Sequence, residues 1–268
     1  MDGRVFRLSQ INVFPIKSLG VVRLSQAQIT PQGLANDRRW MLVDQQGRFI
    51  SQRECSQLSQ FKVSLGDDTI DVQHRSDRIQ LPAQLDSGQQ IEVSIWSDQC
   101  AGFLADDDVN DWFSEQLSLN CRLVYMGAKH QRLVDPNFSV GDDLVSFADG
   151  FPHLIIGESS LQDLNQRLPQ PVSMDRFRTN FVFTGGDAYA EDGWRKIRIG
   201  ETVMRVVKPC ARCTLTTADP ETGEKGKEPL RTLASYRSID GGVMFGQNLL
   251  HESLGQVAVG DRIQVMSD

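Results

Sequence analysis

Histidine is scarce in this chain, with 4 in 268 residues, and none of them (His74, His130, His153, His251) stands at a metal-binding spacing from another. Cysteine is sparse too: the 5 thiols, at positions 55, 100, 121, 210 and 213, are odd in number and scattered. That excludes a disulfide framework and fits a reducing cytoplasm. A structural zinc site takes four ligands, usually from two pairs, and only one close cysteine pair exists here. No run of about 18 apolar residues occurs, so no transmembrane helix and no membrane partner are expected. The opening residues, from Met1 to Leu8, lack the apolar core of a signal peptide. Positive charge is in deficit, with 28 Lys and Arg against 35 Asp and Glu. The net charge of -7 argues against nucleic acid as a partner. No Walker motif and no GxGxxG is present, which excludes a nucleotide cradled at a helix start. Internal repeats and low-complexity linkers are absent as well.

What the chain does have is short apolar segments cut by Gly, Asp and Asn. Strands are expected at 11–16, 21–29, 40–43, 61–65 and 91–96, the pattern of sandwiches and barrels. Residues 196–199 and 202–206 flank Gly200-Glu201 and read as a two-residue hairpin. Residues 257–265 read as a closing turn and strand. A helix is expected from the N-cap Asp106, with Val109, Trp112, Phe113 and Leu117 on one face. A second is expected from Ser159, with Gln162 completing a capping box and Leu161, Leu164 and Leu168 on one stripe up to Pro169. The expected fold is therefore mainly β with a few helices, in an N-terminal and a C-terminal β unit that meet near the first helix.

Chemistry concentrates in Lys208-Pro209-Cys210-Ala211-Arg212-Cys213-Thr214, which presents two thiols and a guanidinium at the end of an apolar strand. One thiolate beside an arginine suits a soft metal and a clamped anion. The pair also reads as small buried residues ending a strand, since free cysteine packs as a small hydrophobe. A thioredoxin-type site is disfavoured because Thr214, Leu215, Thr216 and Thr217 start a helix poorly. Basic residues recur where apolar segments end: Lys17-Ser18, Arg38-Arg39 and Arg178. With Arg212 they suit a phosphate, and they equally suit unrelated surface positions. Asp149-Gly150 marks a loop entering the strand around Leu154. The acidic stretch from Asp187 to Gly193 reads as a solvated turn before a packing Trp194. His153 stands beside an apolar strand, as a core or a pocket residue.

Seven motifs come in order: Phe14-Pro15-Ile16-Lys17-Ser18, Asn36-Asp37-Arg38-Arg39-Trp40-Met41, Ser146-Phe147-Ala148-Asp149-Gly150, Phe177-Arg178-Thr179-Asn180, the cysteine pair with its neighbours, Glu228-Pro229-Leu230-Arg231-Thr232-Leu233 and Phe245-Gly246-Gln247-Asn248. On them the chain resembles MOSC proteins that carry a MOSC N-terminal β-barrel domain, over roughly residues 5 to 266. The resemblance implies a MOSC N-terminal β-barrel domain in residues 1–120 packed with a MOSC β-barrel domain in residues 121–268. It implies a molybdenum cofactor, a pterin carrying molybdenum and a phosphate, with Cys213 as the metal ligand and Cys210 as a neighbour. The cofactor-holding positions carry over to Lys17, Ser18, Arg38, Arg178, Ala211 and Arg212, with Gly150, Phe151 and Asn248 nearby. Asp149 falls close to the metal, where a carboxylate orients water or relays a proton. Pyridoxal phosphate binding is associated with the family at large. The implied activity is reduction of small N-hydroxylated compounds, N–OH to N–H, with the oxygen passed to molybdenum. A cofactor carrier or sulfur-transfer role is the alternative. Some members continue into a ferredoxin domain, whereas this sequence ends at Asp268 without a cysteine cluster of iron–sulfur spacing. Electrons are therefore expected from a separate ferredoxin- or flavoprotein-type donor.

Overall fold

The computed structural model describes residues 5–266, so the first four residues of the stretch read above for a leader lie outside it. The strands of the first half are β1 (Phe6–Val13), β2 (Val22–Leu24), β3 (Gln26–Thr30), β4 (Gly33–Leu34), β5 (Trp40–Val43), β6 (Lys62–Leu65), β7 (Thr69–His74), β8 (Asp77–Pro82), β9 (Gln90–Ile95) and β10 (Asp98–Leu104). Then come α1 (Asp107–Leu117), β11 (Arg122–Tyr125), β12 (His153–Gly157), α2 (Glu158–Arg167), β13 (Phe181–Thr184), β14 (Lys196–Ile199) and β15 (Thr202–Arg212). The last elements are α3 (Leu230–Ala234), β16 (Ser238–Ile239), β17 (Gly242–His251), β18 (Gly255–Ala258) and β19 (Arg262–Met266).

Seven strands close a ring in the order β12, β13, β1, β19, β14, β15, β17, with β12 and β17 pairing to complete it. Alternation explains the inside of that barrel. Leu8, Ile11, Phe181, Phe183, Ile197, Met204, Leu249 and Ile263 are buried together, each from a ring strand. Gly246 marks a tight point in the ring. Its φ is +83, and a Cβ there would stand 2.6 Å from Ile156, so only glycine lets β17 pass. The first half builds the smaller, N-terminal barrel unit: the sheet β5-β11-β10-β9, whose outer strands β5 and β9 are joined through residues 47–50, and the sheet β6-β7-β8 pack with α1 around Trp40, Phe61, Phe113 and Leu123.

The halves interleave. β1 pairs with β13 and β19 inside the barrel, and β3 pairs with β18. β11, beyond residue 120, pairs with β5 and β10 in the first half's sheet. A cut after residue 120 therefore passes through shared sheets at both ends.

Several expected elements shift. The strand expected at 11–16 is β1, which stops before Phe14-Pro15 because proline has no N–H for the ladder. The one expected at 21–29 divides into β2 and β3. The second helix begins at Glu158 with Gly157 as N-cap, and no side chain caps it. Ser159 instead donates to the Gly186 carbonyl, so the capping box does not form. α1 spans the expected residues, and Asp106 occupies its N-cap position without a side-chain capping bond. The acidic stretch is not solvated throughout. Glu191 is fully buried and accepts from Gly157 N–H and the Ser160 hydroxyl, while burial raises its carboxyl pKa.

Candidate functional site

One cleft gathers the residues that the resemblance nominated: Lys17, Ser18, Arg38, Asp149, Gly150, Phe151, Arg178, Ala211, Arg212, Cys213 and Asn248 all line it, together with Cys210. The barrel supplies one wall. β15 pairs with β17 through Ala211 and Arg212, with register shifts around Val206 and Pro209, so its end is bent as bulged strands are. Arg212 Nη1 donates to Cys210 Sγ at 2.9 Å, and Nη2 to the Phe177 carbonyl at 2.6 Å. Cys213 follows in extended backbone and opens the single 3₁₀ turn Thr214–Thr217. That one turn is too short for a helix-activated redox pair. All five cysteines are free thiols.

The loops between β1 and β5 supply the opposite wall. Ser18 (φ +71) and Arg38 (φ +51) adopt left-handed backbone, as does Arg178 (φ +50) across from them. Three cleft residues in a region disfavoured for residues with a Cβ mark a site whose surroundings hold it in shape. Asp37 does much of that holding. It is buried, accepts from the Phe14 N–H at 2.8 Å and the Asn180 amide at 3.0 Å, and ion-pairs with Arg38. Arg38 also donates to the Arg178 carbonyl at 2.9 Å, and both guanidiniums lie over the Phe14 ring, at 4.6 and 4.1 Å. Arg39, the neighbour of Arg38, turns away and donates to the Met126 carbonyl, so it takes no part in the cleft.

The third wall is the loop carrying Asp149. Arg132, buried and ion-paired with Asp98, donates to the carbonyls of Ser146, Ala148 and Asp149 and so fixes its course. Lys17 Nζ meets Asp149 Oδ1 at 2.6 Å. Burial lowers the Lys17 pKa to about 8, more than Asp149 restores. For Asp149, burial among the surrounding chain raises the pKa, but the Lys17 charge and hydrogen bond, aided by Arg38 and Arg53, carry it well below the usual range. The Asp149 side chain is nonetheless 62% exposed, because it stands in open cleft space, so solvent screens the pair.

The cleft suits an anion. Arg178 is buried enough to lower its pKa to about 9, with Arg38 adding repulsion. Two guanidinium nitrogens, Arg178 Nη2 and Arg212 Nε, are buried without a hydrogen-bond partner. Orphaned donors of that kind carry a desolvation cost until something accepts from them. Among the described residues no cluster of three or more His, Cys, Asp or Glu could hold a bare metal ion. A metal that brings most of its own ligands and an anionic tail fits the donor set better than a free cation. Sequence reasoning missed Phe49, Gln52, Arg53, Trp96 and Asn180, which also line the cleft, and Arg132 behind it. Asn180 lay within a noted motif. The others carry no local signal.

A closed barrel whose strand end brings a thiol and a guanidinium to a basic cleft defines the class, and the family models agree. Residues 5–120 match the MOSC N-terminal beta barrel domain, and residues 142–264 match the MOSC domain. The chain belongs to the family of MOSC proteins that includes the mitochondrial amidoxime-reducing components. It is 31% identical to mitochondrial amidoxime-reducing component 1 of Mus musculus, over 98% of this chain and 83% of that protein. It is 33% identical to mitochondrial amidoxime reducing component 2 of Rattus norvegicus, over 99% of this chain and 85% of that one. It is also 32% identical to molybdenum cofactor sulfurase of Oryza sativa subsp. japonica, over 92% of this chain but only 33% of that protein. Among the described residues no helix is long and apolar enough to cross a membrane.

Proposed function

We propose that this protein is a molybdenum-cofactor-dependent reductase of small N-hydroxylated compounds, working in the cytoplasm with electrons from a separate ferredoxin- or flavoprotein-type donor. The observation that carries the reading is the convergence of Cys213 with Lys17, Ser18, Arg38, Arg178 and Arg212 on one cleft in which two buried guanidinium nitrogens lack acceptors. Relatives named for amidoxime reduction support it. Cys213 would hold the metal through its thiolate. Arg38, Arg178, Arg212, Lys17 and Ser18 would hold the phosphate and pterin, and Ala211 and Gly150 would leave room for them. When bound, the cofactor supplies two-electron, oxygen-accepting chemistry.

The reaction consumes two electrons and two protons, converting N–OH to N–H and water. Of the Lys17–Asp149 pair, Lys17 is the group that carries a proton at neutral pH. Its pKa near 8 lies close to the working range, while Asp149 stays ionised. Asp149 would then orient the Lys17 ammonium toward the cleft and accept the hydrogen bond that keeps it there.

The test is molybdenum and pterin content of protein co-produced with the cofactor, wild type against Cys213→Ala, followed by benzamidoxime reduction with a chemical reductant. About one molybdenum per chain, lost in the variant, is the expected result. No molybdenum in either protein would overturn the reading. The similarity to a molybdenum cofactor sulfurase favours a second reading, a cofactor carrier or sulfur-transfer protein. A persulfide on Cys210 or Cys213 with no turnover would establish it.

A further inference from the structure

One cation of the cleft has no role in the reading above. Arg53 sits on the cleft rim with its guanidinium 4.3 Å above the Trp96 ring. Lys17 is paired with Asp149 and Arg38 with Asp37. Among the described residues, no carboxylate lies within ion-pair distance of Arg53. Its charge is nonetheless near enough to the cleft to act on Asp149.

Trp96 is unusual in its own right. It occupies the two-residue turn between β9 and β10 with φ +56, where Asn or Gly ordinarily sits. Left-handed backbone costs a residue with a Cβ about 1–3 kcal/mol. Burial does not offset that cost, since Trp96 is 48% exposed. It meets Phe49 edge to face, with ring centres 4.7 Å apart at 70°, and Phe49 in turn lies under Lys17. The indole is thus a half-open wall carrying a cation with no carboxylate at ion-pair distance among the described residues. Cation over ring, with an open flat surface beside it, is a recognition surface for a planar molecule with a negative group.

We propose that the Arg53–Trp96 pair determines specificity in this cleft, selecting planar N-hydroxylated substrates that carry an oxyanion, with the anionic group on Arg53 and the flat ring against Trp96. The proposal rests on the reductase reading and adds the substrate class. The oxyanion is a carboxylate or a phosphate, and the test separates them.

The cofactor-loaded wild type, Arg53→Gln and Trp96→Phe proteins are assayed with two matched pairs. These are benzamidoxime with 4-carboxybenzamidoxime, and N-hydroxycytidine with its 5′-monophosphate. Arg53→Gln is expected to raise KM about tenfold for the anionic member of at least one pair and to leave the neutral members unchanged, the size of one charged hydrogen bond. The affected pair identifies the oxyanion. A readout without turnover comes from fluorescence. Of the four tryptophans, Trp40 and Trp194 are buried and Trp112 is half-buried, so Trp96 dominates the exposed signal. Titration with 4-carboxybenzamidine or cytidine monophosphate should quench it in the wild type, more weakly in Arg53→Gln, and not in Trp96→Phe. Equal KM ratios in wild type and Arg53→Gln, or a loss of molybdenum in Arg53→Gln that places the residue on the cofactor instead, overturns the assignment. A loaded wild type that reduces none of the four compounds overturns the reductase reading itself.

Discussion

In the C-terminal barrel every ring strand has a full strand paired on both sides, whereas in the first half β5 and β9 are joined only by short bridges through residues 47–50, and β6-β7-β8 forms a separate sheet. The two halves meet at the cleft and hold their residues there by different means. Ala211, Arg212 and Asn248 are held through backbone pairing with β17, β15 and β12, so their positions are set by the ladder. Arg53 stands in a loop and Trp96 in a hairpin turn, and their side chains are held by ring contacts. The ladder thus fixes Ala211 and Arg212, the contacts of Asp37 fix Arg38, and the Arg53–Trp96 wall can change without disturbing either.

The largest effect tests whether the halves are one folding unit. Phe181→Ala in the barrel and Phe113→Ala in α1 each remove a fully buried ring, at a cost of about 3–5 kcal/mol. Because β1 and β11 cross between the halves, both variants should lower the same single calorimetric transition. Two transitions, each shifted by only one variant, would undo the interleaved picture. Next comes Asp37→Asn at the junction. The amide keeps an acceptor but no longer neutralises Arg38, and the expected loss is about 2 kcal/mol in urea unfolding. A neutral result would mean that Asp37 does not hold the three-way contact of Phe14, Arg38 and Asn180.

The pH dependence of the Lys17–Asp149 pair should be smaller. Lys17 gives up its proton near pH 8 in the folded chain but near 10.5 when unfolded, so its contribution to stability rises across that interval. Asp149 is lowered, so its contribution is present above the ordinary carboxylate value of 3.8 and is lost as pH falls below it. The melting temperature of the wild type relative to Lys17→Met should climb between pH 8 and 10.5. A flat difference would contradict the depressed Lys17. Smallest of all is Trp96→Asn, which relieves a left-handed backbone while losing a half-exposed ring. Stability should stay within about 0.5 kcal/mol of wild type by thermal melt. A loss of several kcal/mol would make the rim part of the core and erase the contrast between the halves.

The parts legible in the sequence were those with a local cause. A short apolar run located β5, alternation located the hairpin β14–β15, and the Gly200 turn, at φ +55, is where the sequence put it. Lys17, Arg38, Arg178 and Cys213 could be singled out because each interrupts or ends an apolar segment, and the ordered motifs joined them into one expected site. Ring closure was not legible. Nothing near β1 tells that its partners are β13 and β19, because the pairing is set by the whole barrel. Arg132 and Arg53 each sit in polar stretches with no periodicity, and only the fold gives them a target. Glu191 reads as solvated because its neighbours are acidic, yet Gly157 at the end of β12 and Ser160 of α2 reach it.

The placement of β1 also sets a schedule. Phe6 pairs with Ile263 and Arg7 with Arg262, residues from opposite ends of the described chain. A ribosome releases β1 before the other ring strands and β19 after them, so the ring cannot close until β19 has emerged. Until then β1 and β13 present unpaired edge groups and the apolar faces of Ile11 and Phe181 to whatever is near. Closing so distant a pairing is slow for a chain of this topology. Slower synthesis at low temperature, or a holding chaperone, should raise the yield of folded protein more than any substitution at the cleft.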